Sequence, residues 1–581
     1  MIAEQYDKFW MSRVRKETDW AEVSKYVYAT DTSSTANAKL PWKNKTTRPK
    51  ICQIRDNLHA NYMAALFPSE DWFDWEPSDQ ESTDVEKATA IKAFMKNKLK
   101  QSEFTKTVSS FVYDLIDYGN VFGDAEYVNE TFKDSTGQNV ISYIGPRAVR
   151  ISPYDLVFDV TSPTFEQSPK ITKSLLTFGD IHKLMKIDPD WAKVSPQIIA
   201  KIEDNRRQVA SVKEVRKSEG LVAAGFSDLI QYYGSGLVEI LEFEGDIYNL
   251  DTGDFWESHI ITIVDRAYVI RKEPIKTWTG KSTKQHCGWR LRSDNLMAMG
   301  PLDNLVGMQY RIDHLENLKA DVFDLIAYPV FKIKGYVEDF EYGPLERIYM
   351  EQDSDVEFMR PETTALNADI QIHELEEQME EMVGAPKNAM GIRTPGEKTK
   401  FEVQTLDNAA GRMFQNKISY FEEHFLDKLL NAMLELARRN MEAVEIAKVV
   451  DTDLGVTKFL EITKDDLTSK GRLVPIGARH FAAQAQLIQN LTNLSGTGLY
   501  QDPAVNVHMS GLRIAKLLEE NMGWSKYRIV EPNIRIIENA DSQNLAATAS
   551  DQAQANATTP PMTPEDIPDG LSAEENLGPT E

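Results

Sequence analysis

Between Gly300 and Asn440 the sequence alternates long helical runs with short, sharply bounded breaks, and this order limits the fold more than any other stretch. The segment MGPLDNLVGMQYRIDHLENLKADVFDLI places Leu305, Met308, Ile312, Leu315, Leu318, Val322 and Leu325 at spacings of three and four. That predicts one apolar stripe on a helix roughly 36 Å long, and Pro329 stops it. A compact insert follows from Tyr328 to Ala365, with a strand-like run Val330-Phe331-Lys332-Ile333-Lys334 and turns at Gly335 and Gly343-Pro344. A second helix is predicted over 366–383, with Leu366, Ile370, Leu375, Met379 and Met382 on one side. Its remainder carries Asp369, Glu374, Glu376, Glu377, Glu380 and Glu381, the pattern of a solvated acidic face. Residues 384–396 form a loop of three glycines and two prolines whose only charges are Lys387 and Arg393. Thr394-Pro395-Gly396-Glu397 then has the signature of a capped helix start. The run that follows reaches Asn440, with Gly411 as its candidate kink.

The first half has a different texture. Helices are predicted over about 1–28, 49–66, 82–101 and 104–118, and the first carries Phe9, Trp10, Val14, Trp20, Val23 and Val27 among its apolar positions. Short alternating runs such as Val121 to Tyr127, Val140 to Ile144, Val238 to Tyr248 and His259 to Arg271 predict strands, with helix between Phe178 and Val212. The fold class is therefore α+β. Two more helices are predicted at 478–494 and 510–522. Beyond Arg535 the chain has nine acidic residues and no Lys or Arg, and lacks the apolar content for a core, so 536–581 reads as a disordered acidic tail.

A chain of 581 residues is long enough for several domains. No run approaches the roughly 18 apolar residues of a spanning helix, and no leader pattern is visible at Met1 to Lys8. Two cysteines, Cys52 and Cys287, exclude a disulfide framework and suit buried thiols in a reducing compartment. The net charge of −25 has the wrong sign for an ordinary nucleic-acid binder, whose affinity comes from neutralising phosphates. It suits either plain solubility or a surface past which DNA moves without sticking.

Catalytic motifs are absent. Thr279-Gly280-Lys281-Ser282-Thr283 resembles the end of a phosphate-binding loop, but Ile275 stands where the first glycine is required. His286-Cys287 has no second pair at zinc-ligand spacing. The glutamates from Glu374 to Glu381 suit a solvated helix face better than acid–base chemistry. The expectation is a non-enzyme with no catalytic residue, metal or cofactor. The competing class on these grounds is an enzyme acting on nucleic acid.

Helix, small insert, second helix, Gly/Pro loop and long kinked helix is the order found in bacteriophage portal proteins. Four stretches resemble that family in sequence, particularly its short-tailed phage branch. They are RDNLHANYMAALFPSEDWF (Arg55 to Phe73), GPRAVRISPYDLVFD (Gly145 to Asp159), GPLDNLVGMQYRIDHLENLKAD (Gly300 to Asp321) and GAPKNAMGIRTPGEKTKFEVQ (Gly384 to Gln404). Together they extend the likeness over about residues 50 to 440.

The resemblance implies a portal fold: an α/β wing (1–299), a stem of helices 300–327 and 366–383, and a clip insert (328–365). It further implies a tunnel loop (384–396), a long kinked helix (397–440) and a helical crown (441–535); the acidic tail (536–581) is an addition to that pattern. It implies a head-to-tail connector: a ring of about twelve copies at one capsid vertex, through which double-stranded DNA is packaged and ejected without sequence specificity. Its implied partners are the terminase motor, head-completion or tail adaptor proteins, and the major capsid and scaffolding proteins, with no membrane. The implied location is the virion, and the host cytoplasm during assembly. The competing structural class is another head-completion or tail-tube ring protein, against which the paired helices around an insert favour the portal. Glu374, Glu377 and Glu381 would face the channel, where like charge repels phosphate over about 8 Å at physiological salt. Lys387 and Arg393 would touch passing phosphates at the constriction; the same two charges also suit simple solvation of a loop.

Overall fold

Runs of β-branched and aromatic residues between Asn120 and Met299 form the main sheets, and the flanking helical runs cover them. The computed structural model describes residues 1–68, 71–78, 85–133, 139–187, 191, 196–208, 236–249, 253–339, 347–359, 366–384, 414–441, 445–450, 457–477 and 515. Apart from Ala515, these belong to one unit, Met1–Phe481. Its first elements are α1 (Ile2–Val27), α2 (Lys50–Leu66), β1 (Phe73–Pro77), α3 (Val85–Gln101), α4 (Phe104–Asp117), β2 (Asn120–Lys133), β3 (Asn139–Ile151), β4 (Leu156–Phe158) and β5 (Lys170–Thr177). Next come α5 (Phe178–Ile187), α6 (Pro196–Gln208), β6 (Leu237–Tyr248), β7 (Phe255–Val264), β8 (Tyr268–Pro274), β9 (Gln285–Gly288), β10 (Arg290–Arg292) and β11 (Asn295–Met299). The last are α7 (Val306–Ala327), β12 (Val330–Lys334), β13 (Asp355–Met359), α8 (Ala368–Val383), α9 (Asp427–Asn440), β14 (Glu445–Val450), β15 (Thr457–Ile462) and β16 (Gly471–Pro475).

Strands β4 to β8 form an antiparallel sheet in sequence order, and its alternation sorts side chains to two faces. Val238 and Ile240 of β6 pack with Ile181, Ile199 and Ile202 of α5 and α6. Leu241 and Phe243 point the other way and pack with Tyr6 of α1. A second sheet has the order β3-β2-β9. The largest core is helical: Leu58 and Tyr62 of α2, Phe111 of α4, Ile312 of α7, Ile372 and Met379 of α8, and Leu429 and Met433 of α9 all belong to it.

Several expectations change. On α1 the buried set is Tyr6, Arg13, Trp20, Val23, Tyr26 and Val27, so Arg13 is inside while Val14 is exposed. The guanidinium is satisfied at the turn into β4, donating to the carbonyls of Pro153, Tyr154 and Leu156. The run Phe178 to Val212 holds two helices, α5 and α6. Below residue 478 the expected helical crown is β-structure: β14 pairs with β15, and β16 joins the body. The β-branched residues of EIAKVV, TKFLEI and GRLVP favour strand over helix. Register pairs in the β1–β16 ribbon include Phe73↔Pro475 and Trp75↔Leu473. Gly471 is required there, because a Cβ would lie 2.5 Å from the Trp75 ring. The run into α9 is helical from 414 and widens to a π-turn at Glu422–Leu426, an irregularity the sequence did not signal. The candidate kink Gly411, the helix at 478–494, all of 510–522 but Ala515, and the tail 536–581 lie outside the described residues.

Candidate functional site

Helices α7 and α8 bracket the β12–β13 hairpin, the order the sequence predicted. The helices pack through Ile312, Leu315, Ile372 and Met379 of the main core. Across them Lys319 holds Asp369 at 2.7 Å, which keeps the Asp369 carboxyl below its ordinary range.

The details of the two stripes differ from expectation. On α7, Leu325 is exposed and its neighbours Phe323 and Ile326 are exposed with it. Buried instead are Gln309, Asp313 and Asn317, a polar line at four-residue spacing. On α8, Ile370 is 74% exposed and Met382 is also on the surface, while Ala368, Ile372, Glu376, Met379, Glu380 and Val383 are buried. The buried face is thus rotated relative to the predicted one, because two buried glutamates find cations, one at the surface and one inside. Arg48 meets Glu376 at 2.8 Å, and Lys50 meets Glu380 at 2.5 Å with both side chains buried. What remains exposed of the acidic face includes Glu374, Glu377 and Glu381, which recur at spacings of three and four along one side. Gly384 ends α8 with φ of 75°, and its N–H donates to the carbonyls of Glu380 and Glu381. Lys387 and Arg393 lie outside the described residues.

The hairpin alternates as a strand pair should. One face has Lys332 opposite Glu357, with the charges 3.2 Å apart, and Lys334 opposite Asp355. The other has Phe331 opposite Phe358, with ring centres 5.1 Å apart, and Ile333 opposite Val356. Apolar side chains here are bare: Tyr328 is 78% exposed and Tyr336 67%, and Val330, Ile333, Tyr349, Met350 and Met359 are exposed too. Sequence reasoning found the insert but missed its apolar surface, although Phe331, Ile333, Val356 and Phe358 alternating with charges in a pair of strands too short to be covered was the available signal.

The segment resembling a phosphate loop connects β8 to β9 and leads into a strand. Lys281 pairs with Glu166 at 3.2 Å, and the Ser282 and Thr283 hydroxyls donate to Glu244 and Asp124. Its side chains are thus committed to carboxylates, which is incompatible with a phosphate cradle. His286 stacks on Phe122 with ring centres 4.8 Å apart, and burial pushes its pKa down to about 3. Cys287 is buried and its thiol is pushed up to about 12, while Cys52 is half-buried; both are free. Among the described residues no group of three or more His, Cys, Asp or Glu side chains is arranged to hold a metal ion. Among them, too, no helix is long and apolar enough to cross a membrane. Compared with known proteins, the chain matches no family model and no curated protein.

Proposed function

We propose that this chain is a portal protein, assembling as a ring of about twelve copies that forms the DNA channel at one capsid vertex. The observation that carries the reading is the α7–hairpin–α8 unit, whose β12–β13 hairpin and adjoining helix end leave Phe323, Ile326, Tyr328, Ile333 and Tyr336 to solvent. Exposed aromatic and aliphatic side chains gathered on one helix–hairpin unit suit an interaction site, and a second copy of the same unit would cover them in a closed cyclic assembly. In that ring α7 and α8 are the stem, the hairpin is the clip, and 384–396 is the tunnel loop. Glu374, Glu377 and Glu381 line a channel whose charge keeps DNA from adhering. The packaging motor, and afterwards the head-completion or tail adaptor proteins, bind the clip end. Capsid and scaffolding proteins surround the wing.

Averaged electron micrographs of the purified chain test this. A hollow ring with a central channel is the expected result, together with antibody labelling at a single vertex of assembled particles. Monomers or compact dimers at micromolar concentration across salt conditions would overturn the ring. Labelling along a tail, or at every vertex, would assign the ring to another structural class.

A further inference from the structure

Between α1 and α2 a strap, residues 31–48, crosses α7; it begins with two 3-10 turns, Thr32–Ser34 and Ala36–Lys39, and continues from 40 to 48 without helix or strand. The strap buries little apolar surface: between Ala29 and Pro49 the fully buried side chains are Thr32, Thr35 and Asn37, while Leu40 and Trp42 are half-buried, Trp42 edge-on to His314 of α7 with ring centres 5.0 Å apart. Its attachment is a line of hydrogen bonds from one face of α7. Asp321 accepts from the backbone N–H of Lys43 and Asn44 at 3.2 and 3.0 Å. Asn317 accepts from Thr46 N at 2.8 Å and donates back to Thr46 O at 2.9 Å, so one side chain imitates a strand partner. Asp313 accepts from Arg48 N and from Thr47 Oγ1, both at 3.0 Å. Gln309 donates to Arg48 O at 2.6 Å and accepts from Ile51 N at 3.2 Å.

Hydrogen bonds of this kind exchange for water with small net loss, whereas buried apolar surface cannot be returned to water without cost. The strap can therefore leave α7 at less cost than a segment anchored by fully buried apolar side chains, the Trp42–His314 contact being its main apolar hold, and water can hydrate the groups it uncovers. Such a segment opens by itself, well below the free energy of global unfolding. Its C-terminal end carries the consequence. Arg48, the last strap residue, supplies a cation for Glu376 of α8, which also has the His373 ring at 3.6 Å, and Lys50, the first residue of α2, is anchored through that helix and pairs with Glu380. Both glutamates are buried, and a buried carboxylate without its cation is strongly disfavoured.

We propose that the strap is a latch: closed on the Gln309–Asp313–Asn317–Asp321 line of α7, it locks α8, and open, it frees the last turns of α8 before Gly384. The inference concerns the chain itself and stands whether or not the chain forms a portal ring.

Hydrogen exchange read by mass spectrometry on the full-length chain tests it. Amides of residues 43–48 are expected to exchange together, ahead of those in the centres of α2 and α7. Asn317→Ala, which removes both bonds to Thr46, should speed them about tenfold. The same variant should speed amides in residues 377–383, while β6 and β7 keep their rates. Asn44→Ala, at the accessible end of the line where Asn44 Nδ2 donates to Asp321 and Asp324, provides a milder variant should the first fail to fold. A strap that exchanges only together with α2 and α7 would overturn the latch. So would faster exchange at 43–48 with unchanged rates at 377–383.

Discussion

Lys170 sits directly across from Glu244 in the β5–β6 register, yet its ammonium lies 4.4 Å from the centre of the Phe165 ring, inside the protein. Burial pushes its pKa down to about 8, more than Glu244 draws it up. Nearby Lys284 takes Glu242 at 3.0 Å and also pairs with Glu244, and burial raises Asp124 to about 6. A buried cation held this way lowers stability while it is charged. The folded protein releases the proton first, so the cost is full below pH 8 and fades toward the ordinary lysine pKa of about 10.4. Lys170→Met is therefore expected to raise stability at pH 7 by on the order of 1 kcal/mol, and the gain should shrink as pH climbs through that window. Thermal melts of both proteins at pH 7, 8.5 and 9.5 measure the difference. A variant that melts at or below the native chain at every pH would show that the ammonium is well solvated by its neighbours. None of this was legible beforehand, because strand register over 70 residues decides which lysine meets which glutamate. Arg13 makes the same point: its position on α1 is apolar by geometry, and three carbonyls at and before the start of β4, with Glu17 one turn on, let a guanidinium occupy it.

At the scale of elements the sequence served better. Bounds for α1, α2 and α4 follow from apolar periodicity, and each agrees with the structure within about two residues. The helix–insert–helix order was legible because Pro329 and the glycine turns punctuate it. The buried faces of α7 and α8 were not. Gln309, Asp313, Asn317 and Asp321 recur every four residues, and such a line ordinarily means solvent; here a strap more than 250 residues earlier in the chain covers it. Glu376 and Glu380 were assigned to the acidic face for the same reason, since cations distant in sequence cannot be seen from a helix. For the hairpin, the two-phenylalanine face gives a separable expectation. Phe331→Ser with Phe358→Ser removes apolar contact from a pair that is largely at the surface, so the single chain should lose less than about 1 kcal/mol. Assembly should fail, and sedimentation would then report monomers with a nearly unchanged melting temperature. Intact rings from the double variant would place the subunit contact elsewhere.

For the molecule as a whole, charge is the property that the proposed channel would use. The chain carries −25 overall, and residues 384–396 are a small basic island within it. Each exposed contact between a basic side chain and a phosphate is weak, about 1 kcal/mol or less, so changing Lys387 or Arg393 alone should be nearly silent. Lys387→Glu with Arg393→Glu reverses the sign in every copy of a ring. Rings should still form, since neither residue belongs to the apolar faces of α7 and α8, but DNA content per particle should fall in phage carrying both changes. Normal genome content with normal infectivity would mean that the two charges only solvate a loop.

The β1–β16 ribbon also bears on how the protein is made. Residues 73–77 find their partner strand only at 471–475, and Asn431 fixes that strand by bonding both the N–H and the carbonyl of Leu473. A ribosome adding about 5–20 residues per second needs on the order of 20–80 s to travel between the two. Throughout that interval Trp72, Phe73 and Trp75 have left the exit tunnel without the strand that completes their packing. A nascent chain of this design emerges with an aromatic segment open to any other sticky surface, including its twin on the next ribosome of the same messenger. The acidic run Glu70-Asp71 and Asp74 set among those rings supplies like-charge repulsion where such encounters would begin.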